Sequence, residues 1–140
     1  MWVLTELIFM KSESAEMVKH SINSFLALSV TFINEIATIC EQIGADAKEV
    51  SLGIKSDNRI GKKAYLNPGA PFSGGTLARD VRYLNEFGSN DDGIFTPIIN
   101  SILPSNDFRK NWSLMTLNSV TKPSDKILFL GISSTSFGLL

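Results

Sequence analysis

The sequence predicts a mainly α fold, a long central helix with shorter helices packed on it, and closing strand residues; three observations lead there. First, Val18, Ile22, Phe25, Phe32, Ile36, Ile39 and Ile43 follow an alternating four-three spacing broken only by Ser29, the signature of one helical face. Second, glycine, proline and polar residues crowd into 55–75, separating that helix from the later helices. Third, Lys126-Ile127-Leu128-Phe129-Leu130-Gly131 is a short continuous apolar run, which reads as a buried strand.

In chain order, the opening Met1 to Met10 is apolar but carries Glu6 and no basic leader. It is far shorter than a spanning helix and reads as a strand separated from its sheet. The central helix covers 14–43, about 45 Å at 1.5 Å per residue. Ser12 or Ser14 with Glu13 and Glu16 suits its start, and Gly44 its end. A second stripe of Leu26, Val30, Ile33, Ala37 and Cys40 widens its apolar face. A face so long must be covered by helices folding back along it or by the same helix of a second subunit. Asp46 with Glu49 forms a capping box for a short helix ending near Gly53. A compact helix over 76–86 turns Leu77, Val81 and Leu84 inward. After a break at 88–93, helices are expected over 94–103 and 106–119, parted at Pro104-Ser105. Pro123 marks a linker into the terminal strand.

At 140 residues the chain has room for one cored domain. A formal charge of −1 supplies no electrostatic case for a nucleic-acid partner or an anionic membrane, so neither is expected. One cysteine, Cys40, excludes an internal disulfide framework and agrees with a reducing cytoplasm. It lies in the apolar stripe and reads as buried and inert. His20, the one histidine, is expected to point away from the neighbouring Lys19 and carries no assigned role.

Lys19 and Asn23 are four apart at the start of the long helix, so an ammonium and a carboxamide share one face. Such a pair can polarise a carbonyl or alkoxide oxygen; equally, two solvated residues satisfy the same spacing. Further along stand Phe32-Ile33-Asn34-Glu35, Cys40-Glu41, Gly44-Ala45-Asp46, Asp57-Asn58-Arg59-Ile60-Gly61 and Gly74-Gly75-Thr76-Leu77-Ala78-Arg79-Asp80. In this order and at these intervals, the chain resembles the central domain of the UDP-glucose/GDP-mannose dehydrogenase family. The resemblance is strong over 14–84 and weaker beyond.

The resemblance implies a 6-phosphogluconate-dehydrogenase-like central domain, dimeric through the 14–43 helix. It implies a division into 1–13, the end of a preceding nucleotide-binding domain; 14–90, the helical dimerisation domain; and 91–140, connecting helices and the start of a truncated α/β UDP-binding-like domain. On this view the chain is part of a three-domain enzyme. Family enzymes oxidise a sugar primary alcohol of a UDP- or GDP-sugar to a carboxylate in two hydride transfers to NAD, with a cysteine capturing the intermediate aldehyde. Carried over, Lys19 and Asn23 stabilise the oxyanion, Asp80 assists the hydrolytic water, and Arg59 reaches substrate, often across the dimer. Phe72, Gly74 and Gly75 fall in the substrate-binding loop.

Two departures bear on activity. Where the family has its cysteine, in Gly-Gly-Ser-Cys-Phe-x-Lys-Asp, this sequence has Thr76, a far poorer nucleophile without an activating base. Just ahead of the loop, Asn67 stands where family members can carry a lysine. No Gly-x-Gly-x-x-Gly fingerprint for the NAD dinucleotide occurs in the sequence. The alternatives are a catalytically inactive dimerisation module and a β-hydroxyacid dehydrogenase-like enzyme, which also uses a helical Lys and Asn and needs no cysteine. No metal site is expected.

Overall fold

The computed structural model describes residues 7–88 and 96–128, and within them the chain forms α1 (Ser12–Ile43), α2 (Ala47–Ser56), α3 (Thr76–Gly88), α4 (Pro97–Lys110) and α5 (Trp112–Val120). The helix α1 begins at Ser12 after an extended Lys11, with no side-chain cap. It stops where Gly44 enters the left-handed region at φ 75° and returns its N–H to the Cys40 carbonyl, a geometry that costs glycine little. Asp46 caps α2 through Oδ1, accepting from the amides of Lys48 at 2.7 Å and Glu49 at 3.3 Å. With that cap in place α2 runs past Gly53 to Ser56.

The core lies where α1, α3 and α4 meet, while α2 leans on α1 and α5 on α4. Ala27, Phe72, Ala78, Val81 and Ile102 form its centre, flanked by Leu28, Val30, Leu77, Ile99 and Leu103. Small Ala27 and Ala78 let α1 and α3 approach closely at that point. The core therefore draws on residues either side of position 91.

The two stripes of α1 have different fates. Ile33, Ala37 and Cys40 of the second stripe are buried within the chain. Of the first, Val18, Ile22, Phe25, Phe32, Ile39 and Ile43 stay exposed, between 44% and 72%. Ser29, the break in that stripe, is buried and donates its hydroxyl to the Phe25 carbonyl one turn back at 2.8 Å. Thr31 and Thr38 do the same with Leu28 (2.9 Å) and Asn34 (3.1 Å), so these hydroxyls place their protons within the helix, and Thr38 also accepts from Arg109 of α4 at 3.4 Å. By length and composition α1 could also cross a membrane, but its packing against α2, α3 and α4 makes it a core helix here.

Three expectations are corrected. The expected break at Pro104-Ser105 does not occur: α4 runs through Pro104 and ends at Lys110, with the turn into α5 at Asn111. An interior proline costs a helix about 3 kcal/mol, but Ile102, Asn106 and Arg109 around it are all buried on one face. Ser105 also donates to the Glu35 carboxylate of α1. These contacts outweigh the lost backbone bond. The terminal strand is the second correction. Lys126 to Leu128 adopt neither helix nor strand, and Leu128 is 80% exposed. Among the described residues there is no strand to pair with, and Phe129 to Gly131 lie outside them. Third, the part of the opening segment that is described, Leu7 to Met10, is likewise neither strand nor buried.

Candidate functional site at the crossing of α1 and α3

Near its N-terminus α1 crosses α3, and there two residues 57 positions apart meet: the Asn23 carboxamide donates from Nδ2 to Oδ2 of Asp80. Asp80 is fully buried, with no exposed surface. Its other oxygen, Oδ1, accepts from Arg79 Nε at 3.0 Å and lies 3.5 Å from His20 Nδ1. The carboxyl is held below the ordinary carboxylate range. The Asn23 bond is the largest cause, partly opposed by desolvation and reinforced by Arg79 and the Lys19 charge. Asp80 is thus an anion at neutral pH, buried but partnered at both oxygens. Lys19 stands one turn before Asn23 and is exposed, leaving its ammonium accessible to a ligand.

Thr76 opens α3, is exposed, and precedes Asp80 by four residues, which sets the two on one face about 5–6 Å apart at Cβ. Its hydroxyl stands at a helix N-terminus, where the partial positive charge favours an anionic ligand.

His20, given no role above, lies at the same crossing as Asn23 and Asp80. It is three residues from Asn23, so the two share a face. Its ring stacks on Tyr83 of α3 at 4.2 Å between centroids, and Tyr83 meets Phe87 edge-on at 5.2 Å. The i, i+3 relation to Asn23, not the adjacency to Lys19, is the signal in the sequence.

The loop leading to Thr76 is clamped by buried side chains that no motif role marks for this purpose. Asn34 of α1 accepts the Gly69 amide at 2.9 Å and donates to the Ala70 carbonyl at 3.4 Å. Asn106 of α4 accepts the Phe72 amide at 2.9 Å and donates to the Phe72 carbonyl at 3.0 Å. Ser51 holds the Leu66 carbonyl, and Arg109 reaches the Gly69 carbonyl at 3.3 Å. An asparagine within an apolar helical face must find such partners, and that is the sequence signal for Asn34. Phe72, expected in the substrate-binding loop, has its ring in the core at 8% exposure, and Asn106 takes both of its backbone groups. Gly74 and Gly75 are exposed just before α3.

Arg59 lies elsewhere. Its guanidinium is 88% exposed and forks onto Asp57, Nε to Oδ1 at 3.0 Å and Nη2 to Oδ2 at 2.6 Å. It borders a groove of about 400 Å³ with Phe25, Phe32, Ile60, Tyr65 and Leu66, beside the uncovered stripe of α1. Cys40 is buried. Among the described residues no group of His, Cys, Asp and Glu side chains is arranged to hold a metal ion.

Residues 13–108 match the model of the UDP-glucose/GDP-mannose dehydrogenase family, central domain. The chain belongs to this family. A UDP-glucose 6-dehydrogenase of Rickettsia bellii (strain RML369-C) is 42% identical over 104 residues, 74% of this chain and 24% of the relative. The UDP-glucose 6-dehydrogenase TuaD of Bacillus subtilis (strain 168) is 39% identical over 95 residues, 68% of this chain and 20% of its own length. A second protein of that organism, UDP-glucose 6-dehydrogenase YwqF, is 35% identical over 124 residues, 86% and 27%. The chain thus spans about a quarter of the length of the curated relatives it matches.

Proposed function

We propose that this chain supplies the central-domain part of a nucleotide-sugar 6-dehydrogenase site, one that binds a UDP- or GDP-sugar and serves the NAD-dependent oxidation of its primary alcohol. The observation that carries the reading is the Asn23–Asp80 bond across α1 and α3, between residues that fall at the family's motif positions. Asn23 retains one amide hydrogen and its carbonyl oxygen for a ligand after serving Asp80. With the Lys19 ammonium it can stabilise negative charge on a sugar oxygen as the alcohol loses its proton. Asp80, ionised at neutral pH and partnered at both oxygens, holds the Asn23 carboxamide in the orientation that this role needs.

NAD, when bound, accepts hydride. Among the described residues there is neither a strand nor a glycine fingerprint to seat a dinucleotide, so the steps assigned to this chain are those of its own side chains. Withdrawing a proton from an alcohol needs no protein nucleophile, whereas covalent capture of an aldehyde needs an activated one, and a threonine hydroxyl without a base is a weak candidate. Thr76 therefore suits the first oxidation better than the second.

The reading includes a homodimer through α1. Its exposed stripe keeps heptad spacing from Val18 to Ile43, a pattern suited to a second helix of the same kind. On this reading Arg59, next to that stripe and bound to its neighbour Asp57 among the contacts described, serves the partner's site. The Cys40 thiol suits the reducing cytoplasm. Thr76 favours a second reading, an inactive dimerisation module.

Calorimetric titration with UDP-glucose, GDP-mannose and then NAD separates the two. Sugar-nucleotide binding that Arg59→Ala abolishes supports the site. A folded dimer that binds none of them is the interaction module.

A further inference from the structure

We infer that His20 is a positioning residue for Asp80, donating its Nδ1–H to Oδ1 and so fixing the orientation and charge of the carboxylate that faces Lys19 and Asn23. The functional weight of this rests on the proposed role of Asp80; the contact itself does not.

His20 Nδ1 is shut off from solvent and has no hydrogen-bond partner of good geometry, yet it lies 3.5 Å from a carboxylate oxygen. A bare nitrogen lone pair there would face an anion across a dry gap. A proton at Nδ1 removes that repulsion and supplies the missing donor. The other groups around the carboxylate are donors or cations: Asn23 and Lys19 from α1, and Arg79 from α3. His20 can turn either a donor or an acceptor toward Oδ1, so its tautomer decides whether that oxygen gains a second donor beside Arg79. Tyr83 holds that ring in place by stacking from the same helix that carries Asp80.

The chain contains a single histidine, so its imidazole signals need no assignment. Long-range proton–nitrogen spectra of the ¹⁵N-labelled chain at mildly alkaline pH should show the Nδ1–H tautomer. In Asp80→Ala the acceptor is gone, nothing holds the proton at Nδ1, and it should shift toward Nε2, the tautomer a free imidazole favours. An Nε2–H tautomer in the unaltered chain, or one that does not respond to Asp80→Ala, overturns the inference.

A second pair of variants reads Asp80 directly through its carboxyl carbon. His20→Phe keeps the stacking on Tyr83 but removes the donor, and should shift the acid titration of Asp80 upward. His20→Asn restores an N–H near Nδ1 and should bring it partly back. An unmoved titration in His20→Phe means that His20 only packs, and also overturns the inference. If the tautomer and titration behave as expected but no sugar nucleotide binds, His20 positions Asp80 and the proposed function fails separately.

Discussion

Truncating Phe25 is the sharpest test of how α1 is covered. Phe25 is 67% exposed within the chain, so Phe25→Ala removes little that the single chain uses for its own packing. Fully burying a phenylalanine contributes about 1.5–3 kcal/mol, and the exposed two-thirds of it is about 1–2 kcal/mol. A symmetric dimer contains two copies, giving about 2–4 kcal/mol, or a 30- to 1,000-fold rise in dissociation constant at 1.4 kcal/mol per decade. Sedimentation equilibrium over a range of concentrations measures this, with far-ultraviolet circular dichroism confirming that helix content is retained. A chain that is monomeric throughout, or a dimer that Phe25→Ala weakens less than threefold, would refute the assignment of this stripe to self-association.

Three further outcomes are expected from the geometry. Asn106→Ala leaves the Phe72 amide and carbonyl buried without partners, at about 1–3 kcal/mol each, so urea denaturation should show a loss of roughly 2–6 kcal/mol. Asp80 has a depressed pKa in the folded chain; its stabilisation is therefore present above the unfolded carboxylate value of about 3.9 and lost as pH falls through the folded value. The stability gap between the unaltered chain and Asp80→Asn should accordingly narrow below about pH 4, as read by denaturation at successive pH values. Pro104→Ala restores the amide that α4 lacks at an exposed position and should raise stability by about 1–3 kcal/mol, seen as a higher melting temperature.

Much of the helical framework is legible in the sequence because it depends on local signals. Gly44 and Asp46 mark the end of α1 and the start of α2, and the structure places both caps there. The division of labour between the two stripes of α1 is not legible, since spacing identifies apolar faces without saying which neighbour takes which. Pro104 misleads because its local cost is outweighed by burial of Ile102, Asn106 and Arg109 against distant segments. Phe72 reads as a ligand contact by its place in a motif, whereas its size makes it a core residue. His20 escapes a reading that weighs adjacency where helical phase decides, and Asn106 escapes because its partners lie 34 positions away.

One helix, α1, presents Lys19, His20 and Asn23 to the α3 crossing, Asn34 to the loop before Thr76, and its remaining apolar stripe to the exterior. All of these directions are set by a single screw. Inserting or deleting one residue between Asn23 and Asn34 would rotate everything beyond it by about 100°, swinging Asn34 off Gly69 and the stripe off its line together. Side chains along this helix are free to vary within their roles, but its register is not, and the length between those two asparagines is the quantity that descent in this lineage should hold most tightly.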